Sequence, residues 1–304
     1  MLSGQRVLVT GPAGQIAFPL AEFLARDNEV WGIARFGDPA GRERCEKAGI
    51  RTRIVDLAAP DWSDLPEQFD YVLHLAIFQQ PGYDFDRALR VNAEGTGLLM
   101  SRFRRAKACL VMSTCSVYLP PEDPRHLVLE TDPLGTIEQP FSPTYPASKI
   151  AQEGVARMAA REWELPTTIA RMNVSYGTNG GLPAMQVDLL LANQPIDLVA
   201  GRESLTSPIH QDDINEQTAG LLAAASAPAT VVNWGGDEGC GVREYCDYLG
   251  ERVGKRPVYR EVEIGITHTV TENTLRKQLV GDCRVGWRDG MRRMVEARYS
   301  DLAR

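Results

Sequence analysis

Six short runs of aliphatic and β-branched residues recur along the first part of the chain, each followed by a longer stretch whose apolar residues return at helical spacing. They read RVLVT at 6–10, EVWGIAR at 29–35, TRIVDL at 52–57, YVLHLA at 71–76, CLVMST at 109–114 and TTIARM at 167–172. Strand-length runs separated by helical patterns predict a βαβ series. Runs so continuous in apolar residues suit a parallel sheet covered by helices on both faces, with right-handed crossovers. The pattern therefore predicts an α/β fold with a Rossmann-like doubly wound parallel sheet. Past about residue 177 the alternation lapses into a helical stretch near 183–193, a strand-like TVVNWG at 230–235 and amphipathic segments. This predicts a main domain over 1–177 to which the chain returns at about 205–238, and a smaller C-terminal lobe over 178–204 and 239–304.

Between Leu119 and Pro143 the prolines of LPPEDPRHLVLETDPLGTIEQPFSP forbid regular structure and predict a long surface loop. The chain has 304 residues, 43% of them hydrophobic, enough for a large core. No segment reaches the apolar length of a membrane span. A net charge of -7 without a long basic run argues against a nucleic-acid surface and favours small-molecule partners. The polar N-terminus leads at once into RVLVT, leaving no room for a secretory leader, so a cytoplasmic protein is expected. Six cysteines without a CxxC pair and four scattered histidines predict reduced thiols and no metal site.

The first strand runs into VTGPAGQIA, placing Gly11, Gly14 and Ala17 in a G-x-x-G-x-x-A turn that opens a helix. Gly11 permits the tight turn, Gly14 lets backbone approach a pyrophosphate, and the small third residue lets helix and strand pack closely. A dinucleotide is thus expected on the 1–177 domain, with substrate on the smaller lobe. An acidic residue at the end of the second strand would read a free ribose 2′-hydroxyl; here Ala34 and Arg35 stand there instead. A guanidinium suits a 2′-phosphate, which favours NADP over NAD, although Asp38 lies close in sequence.

SPTYPASKIAQE, residues 142–153, sets Tyr145 and Lys149 on one helical face. With the motifs before it, this chain resembles the extended short-chain dehydrogenase/reductase family, the NAD-dependent epimerase/dehydratase type. TGPAGQIA, which includes Gln15 and Ile16, is similar to the glycine motif, VDL with Asp56 and Leu57 to the adenine-contacting segment, and HLA with Leu75 and Ala76 to the fourth-strand motif. VNAEGT with Asn92 is similar to the helix motif, STCSVY to the serine/threonine strand, and YPASK to the Y-x-x-x-K signature. The resemblance implies that Tyr145 passes a proton to or from a substrate oxygen while hydride moves at nicotinamide C4. Lys149 would bond the ribose and favour tyrosinate, Thr114 would bond the reacting oxygen, and Asn92 would support a water network. A tyrosine hydroxyl has an ordinary pKa of about 10, so positive charge beside it helps it act as a base. A homodimer through long helices near 83–106 and 145–161 is a further implication.

The departures bear on substrate. Cys115 and Ser116 stand where dehydratases carry acids, which argues against dehydration. In RMNVSYG, residues 171–177, Val174 holds the place of the diphosphate-binding asparagine of sugar-nucleotide epimerases, with Asn173 one residue early, and Thr206 replaces an arginine. Arg260 or Arg202 could substitute from another direction. The expected activity is NADP-preferring interconversion of a ketone and a secondary alcohol. The alternative is a nucleotide-sugar epimerase using the same residues, with a redox-sensing binding protein third.

Overall fold

The computed structural model describes residues 2–136 and 139–301. Residues 137–138 of the proline-rich stretch and 302–304 of the C-terminal span lie outside the described residues, as does Met1. The chain opens with β1 (Arg6–Thr10), α1 (Ala17–Ala25), β2 (Glu29–Ala34), α2 (Pro39–Lys47), β3 (Arg51–Ile54) and β4 (Tyr71–His74). Helix α3 (Phe85–Leu89) passes through a π-helical turn, Arg90–Glu94, into α4 (Gly95–Arg102), followed by β5 (Ala108–Thr114), α5 (Tyr145–Glu162) and β6 (Thr167–Met172). The third and fourth predicted strands overreach: residues 55–57 and 75–76 have left the sheet and form the rim above it. The segment expected as one helix over 83–106 is a continuous helical run over 85–102 with that π-helical turn in its middle.

Beyond β6 come β7 (Ser175–Gly177), β8 (Gly180–Gly181), α6 (Leu182–Leu191), β9 (Ile196–Val199), β10 (Leu205–Thr206), β11 (Ile209–His210) and α7 (Gln211–Ala223). Strand β12 (Thr230–Trp234) precedes β13 (Cys240–Gly241), α8 (Val242–Val253), β14 (Tyr259–Val262), α9 (Thr274–Val280) and α10 (Trp287–Arg298). The main sheet runs β12-β6-β5-β4-β1-β2-β3, and every pairing in it is parallel.

Alternation along each strand sends side chains to two separate cores. Val7 and Val9 pack with Leu20 and Leu24 of α1 and Ile214 and Leu221 of α7 on one face, whereas Leu8 joins Leu99 and Met100 of α4 and Ala156 and Ala159 of α5 on the other. A third core gathers Tyr176, Val187, Leu190, Leu198, Tyr245, Leu249, Trp287 and Met291 between α6, α8 and α10. Helix α9, though late in the chain, packs through Leu275 and Leu279 on the first core instead. The C-terminal ends of the parallel strands thus open beneath the third core, the position where doubly wound sheets bind ligands.

Candidate active site

A cleft of about 1750 Å³ runs along this edge, from the β1–α1 turn past Tyr145 to α6 and β14. Its dinucleotide end is built from backbone. Gly11 sits at φ +67°, and a Cβ there would lie 3.0 Å from the Cα of Ala76, while one on Gly14 would lie 3.1 Å from the Gly11 carbonyl oxygen. No side chain caps the start of α1 and no acid occupies its first turn, so the positive end of its dipole is left uncompensated beside the cleft. These features fit a pyrophosphate. Gln15, Ile16, Asp56, Leu57, Leu75 and Ala76 all line the same cleft.

Arg35 is exposed at the end of β2 and also lines it. Asp38 is spent locally: its Oδ1 accepts the Ala40 N–H at 3.0 Å and caps α2. A second arginine, which sequence reasoning missed, joins Arg35. Arg44 reaches back from α2, donates to the Ala13 carbonyl at 2.9 Å, and stacks over Phe18 at 4.2 Å. Only the packing of α2 against the glycine turn reveals it. Burial pushes the Asp56 carboxyl up, but the Ala58 amide and Arg87, 2.8 Å away, more than offset this and hold it below its ordinary value.

The structure brings Thr114, Tyr145 and Lys149 to the middle of the cleft, from the end of β5 and the first two turns of α5. Thr114 Oγ1 accepts the Ser116 N–H at 3.2 Å, which leaves its own proton for the Tyr145 side. Burial pushes the Tyr145 hydroxyl up to about 12, and its bond with Thr114 works against that rise. Burial likewise drives Lys149 down to about 7, with Glu153 one turn along opposing the change. The Lys149 ammonium donates to the Met112 carbonyl and to Gln152 Oε1, both at 2.6 Å.

Gln152 begins a buried chain that sequence reasoning did not foresee. Its Nε2 donates to Thr96 Oγ1 at 3.0 Å, Thr96 lies 2.7 Å from His74 Nε2, and His74 Nδ1 lies 2.9 Å from Thr10 Oγ1. Thr10 Oγ1 accepts the Leu75 and Ala76 N–H groups, so its proton goes to Nδ1 and His74 carries its own on Nε2. Burial, reinforced by the charge on Lys149, holds His74 neutral with its pKa down at about 3. The lysine is thereby wired to the wall formed by Leu75 and Ala76.

Asn92 does not reach the cleft. Its Oδ1 accepts the Phe78 N–H at 2.7 Å, and its Nδ2 donates to the Phe78 carbonyl at 3.0 Å and Ser148 Oγ at 2.9 Å. It clamps the π-helical turn to α5, one residue before Lys149. Cys115 is buried, with its thiol pushed up to about 12 by that burial.

Toward α6 and β14 the cleft is lined by Val174, Met185, Gln186, Thr206, Arg260 and His268, among others. Asn173 is consumed by its neighbours: Oδ1 accepts from Thr206 Oγ1 at 2.6 Å and from the Val174 and Ser207 amides. Burial holds His268 neutral, down at about 4. Arg260 is an exposed cation here, paired with Asp197 through two bonds of 2.7 and 2.8 Å. Arg202 does not line this cleft; it borders a separate cavity. Among the described residues no group of three or more His, Cys, Asp or Glu could hold a metal, and no helix is long and apolar enough to cross a membrane.

Residues 7–234, three quarters of the chain, match the NAD dependent epimerase/dehydratase family. The chain belongs to that family. It is accordingly an NAD-dependent enzyme, as the sequence motifs implied. A comparison with curated protein sequences finds no match. Solved structures with the same fold include the UDP-glucuronic acid 4-epimerase of Bacillus cereus in complex with UDP-glucuronic acid and NAD, at a TM-score of 0.81 and 20% identity over 97% of this chain and 99% of that one. MoeE5 in complex with UDP-glucose and NAD gives 0.80 and 25% over 98% and 100%. The UDP-glucose 4-epimerase of Thermotoga maritima with UDP-glucose gives 0.80 and 21% over 98% and 99%. At these identities the Bacillus and Thermotoga likenesses establish the fold, which is the doubly wound parallel sheet expected from the strand pattern.

Proposed function

We propose that this family member interconverts a secondary alcohol and a ketone on a small molecule, with Tyr145 taking and returning the hydroxyl proton. The observation that carries this reading is the convergence of Thr114, Tyr145 and Lys149 midway between the glycine turn and the pocket under α6. Gly11, Gly14, Gln15, Ile16, Arg35, Asp56, Leu57, Leu75, Ala76, Tyr145 and Lys149 would hold the dinucleotide. When bound, its nicotinamide supplies the hydride acceptor and donor. Thr114 orients the reacting oxygen, and Lys149, buried beside that site, lowers the free energy of the tyrosinate whenever it is protonated. Segments 178–204 and 239–304, apart from α9 on the first core, would form the substrate lobe.

Two fates of the ketone are distinguished by different observations. The family match and the UDP-sugar complexes among the structural relatives favour return of the hydride to the opposite face, which makes the enzyme an epimerase of a nucleotide sugar. The volume of the cleft and the presence of Arg260 in it support that reading. Val174 and Thr206 favour the second fate, release of the product of a one-way oxidation or reduction, since neither offers a diphosphate the amide or cation that anchors it, and Arg260 is already paired with Asp197. Incubation with UDP-sugars, followed by NMR without added cofactor, decides between them. Inversion at a sugar carbon establishes the epimerase; no inversion, with stoichiometric loss of reduced-nicotinamide absorbance on a ketone panel, establishes the reductase. Failure of both would remove the proposal.

Arg35 and Arg44 support a preference for NADP, because two cations flank the region that would receive the ribose 2′-position. The enzyme acts in the cytoplasm, and a homodimer is its working assembly.

A further inference from the structure

Pro19 stands in the first turn of α1 and takes a donor out of it. The helical winding reaches back beyond the first residue of α1: the Phe18 N–H meets the Gly14 carbonyl at 3.0 Å, and Ile16 has helical backbone angles. The next bond in that series would run from residue 19 to the Gln15 carbonyl. Proline has no N–H, and its ring crowds the carbonyl four residues before it. The Gln15 carbonyl is therefore left without a donor in its own helix.

The missing donor comes from far along the chain. β7 and β8 pair antiparallel, Tyr176 with Gly181 and Gly177 with Gly180, so Thr178 and Asn179 form a two-residue hairpin turn. Gly180 and Gly181, at φ +117° and +105°, let the chain double back there. From this turn Asn179 Nδ2 donates to the Gln15 carbonyl at 2.5 Å and to Gln211 Oε1 at 3.0 Å. Gln211 Nε2 in turn donates to the Ile16 carbonyl at 3.3 Å. A carbonyl only accepts, so Ile16 fixes which end of the Gln211 amide faces α1, and Gln15 and Gln211 together fix the amide of Asn179. Gln15, Ile16 and Ala17 line the cleft. Among the described residues the N–H groups of Ile16 and Ala17 make no hydrogen bond. In a trans peptide N–H and C=O point opposite ways, so holding the Gln15 carbonyl sets the direction of the Ile16 N–H.

We propose that Asn179 is a positioning residue for the dinucleotide: by supplying the hydrogen bond that Pro19 withholds, it keeps the Ile16 N–H turned toward the pyrophosphate. This rests on the reading of the glycine turn as the cofactor's seat. Asn179 closely precedes α6, whose Leu182, Met185 and Leu189 border the other end of the cleft, so the element that shapes the substrate end also completes the dinucleotide end.

Direct binding tests this without the reaction. The full chain, freed of nucleotide, is titrated with NADPH and with NADH by nicotinamide fluorescence, as the natural protein, Asn179→Ala, Pro19→Ala and the double variant. Asn179 is a half-buried turn residue outside the three cores, so the fold withstands its truncation. The expected result is a dissociation constant at least ~5-fold higher in Asn179→Ala for the more tightly held dinucleotide, the scale of one lost hydrogen bond. In the Pro19→Ala background the N–H restored at position 19 can bond the Gln15 carbonyl from within α1, so the same truncation should cost less than ~2-fold there. A role confined to folding the hairpin would not be relieved by a change in another helix. Unaltered affinity in Asn179→Ala, or an equal loss in both backgrounds, would overturn the proposal and leave the cofactor's seat where it is. Binding of neither dinucleotide by the natural protein would show the seat itself to be misassigned, and the proposal would fall with it.

Discussion

Tyr145 and Lys149 illustrate how burial sets the chemistry of single residues. Both are pushed toward their neutral forms, the tyrosine up to about 12 and the lysine down to about 7, with desolvation the leading cause in each case. Replacing Tyr145 by phenylalanine removes the proton carrier but not the cleft wall, so turnover should fall by at least ~100-fold while cofactor affinity, read by fluorescence titration, stays near that of the natural enzyme. Lys149 yields a prediction in pH. Its ordinary pKa of 10.5 applies in the unfolded chain, so between about 7 and 10.5 the unfolded state binds the extra proton and stability rises with pH. Urea denaturation of the cofactor-free protein should show this slope, and Lys149→Met should lose that part of it. An identical pH profile for both proteins would mean the lysine is charged in the fold. The Tyr–Lys spacing was legible in the sequence because a helix fixes it. Gln152, Thr96 and His74 were not, since nothing in their local sequence says that three elements deliver them to one buried line.

At the level of elements, α5 is fastened to the sheet by a buried ion pair directly behind the site. Glu153 lies one turn after Lys149; its carboxylate meets Arg171 of β6 at 2.7 and 2.9 Å and accepts the Ser113 hydroxyl at 2.6 Å. Burial pushes Glu153 up, but Arg171 and Ser113 prevail and keep it below its ordinary value. Arg171→Met would leave that carboxylate in the core with only Arg157, 3.6 Å away, as a charged partner and should cost about 3–5 kcal/mol in chemical denaturation, the usual scale for breaking one side of a buried pair. A loss near zero would mean that Glu153 is neutral in the fold. The strand runs were readable because parallel strands covered on both faces are apolar throughout, and α5 because its periodicity is unbroken. The ends of the third and fourth strands were misread: Val55 and Leu57 are apolar because they pack into the second core and Leu75 because it packs against the first, and all three also border the cleft. The π-helical turn inside the predicted 83–106 helix was equally hidden, because Asn92 needs Phe78 and Ser148 as partners before such a turn is worth forming.

For the whole molecule, α4 and α5 leave an outer surface on which Leu98 is 46% and Met158 53% exposed, while Gly97 admits Val155 closely between the two helices. If this surface pairs with its copy, sedimentation should give a dimer at micromolar concentration and Met158→Glu a monomer. A monomeric natural protein would exclude the pairing. The proline-rich stretch has a different bearing on the molecule as a whole. Val128 bonds on both sides to the 270–272 segment, its N–H to the Val270 carbonyl and its carbonyl to the Glu272 N–H, while Glu130 accepts the Asn233 N–H and Tyr118 reaches Asn233 at 2.5 Å. Gln139, Pro140 and Phe141, further along, form part of the cleft wall. The stretch is therefore a flap riveted at its root and not a free loop. The chain is fastened again beyond Glu130, where the Leu119 N–H donates to the Pro133 carbonyl and the Gly135 N–H to the Val117 carbonyl, so lengthening it before Val128 would leave the Gln139–Phe141 side of the doorway unchanged.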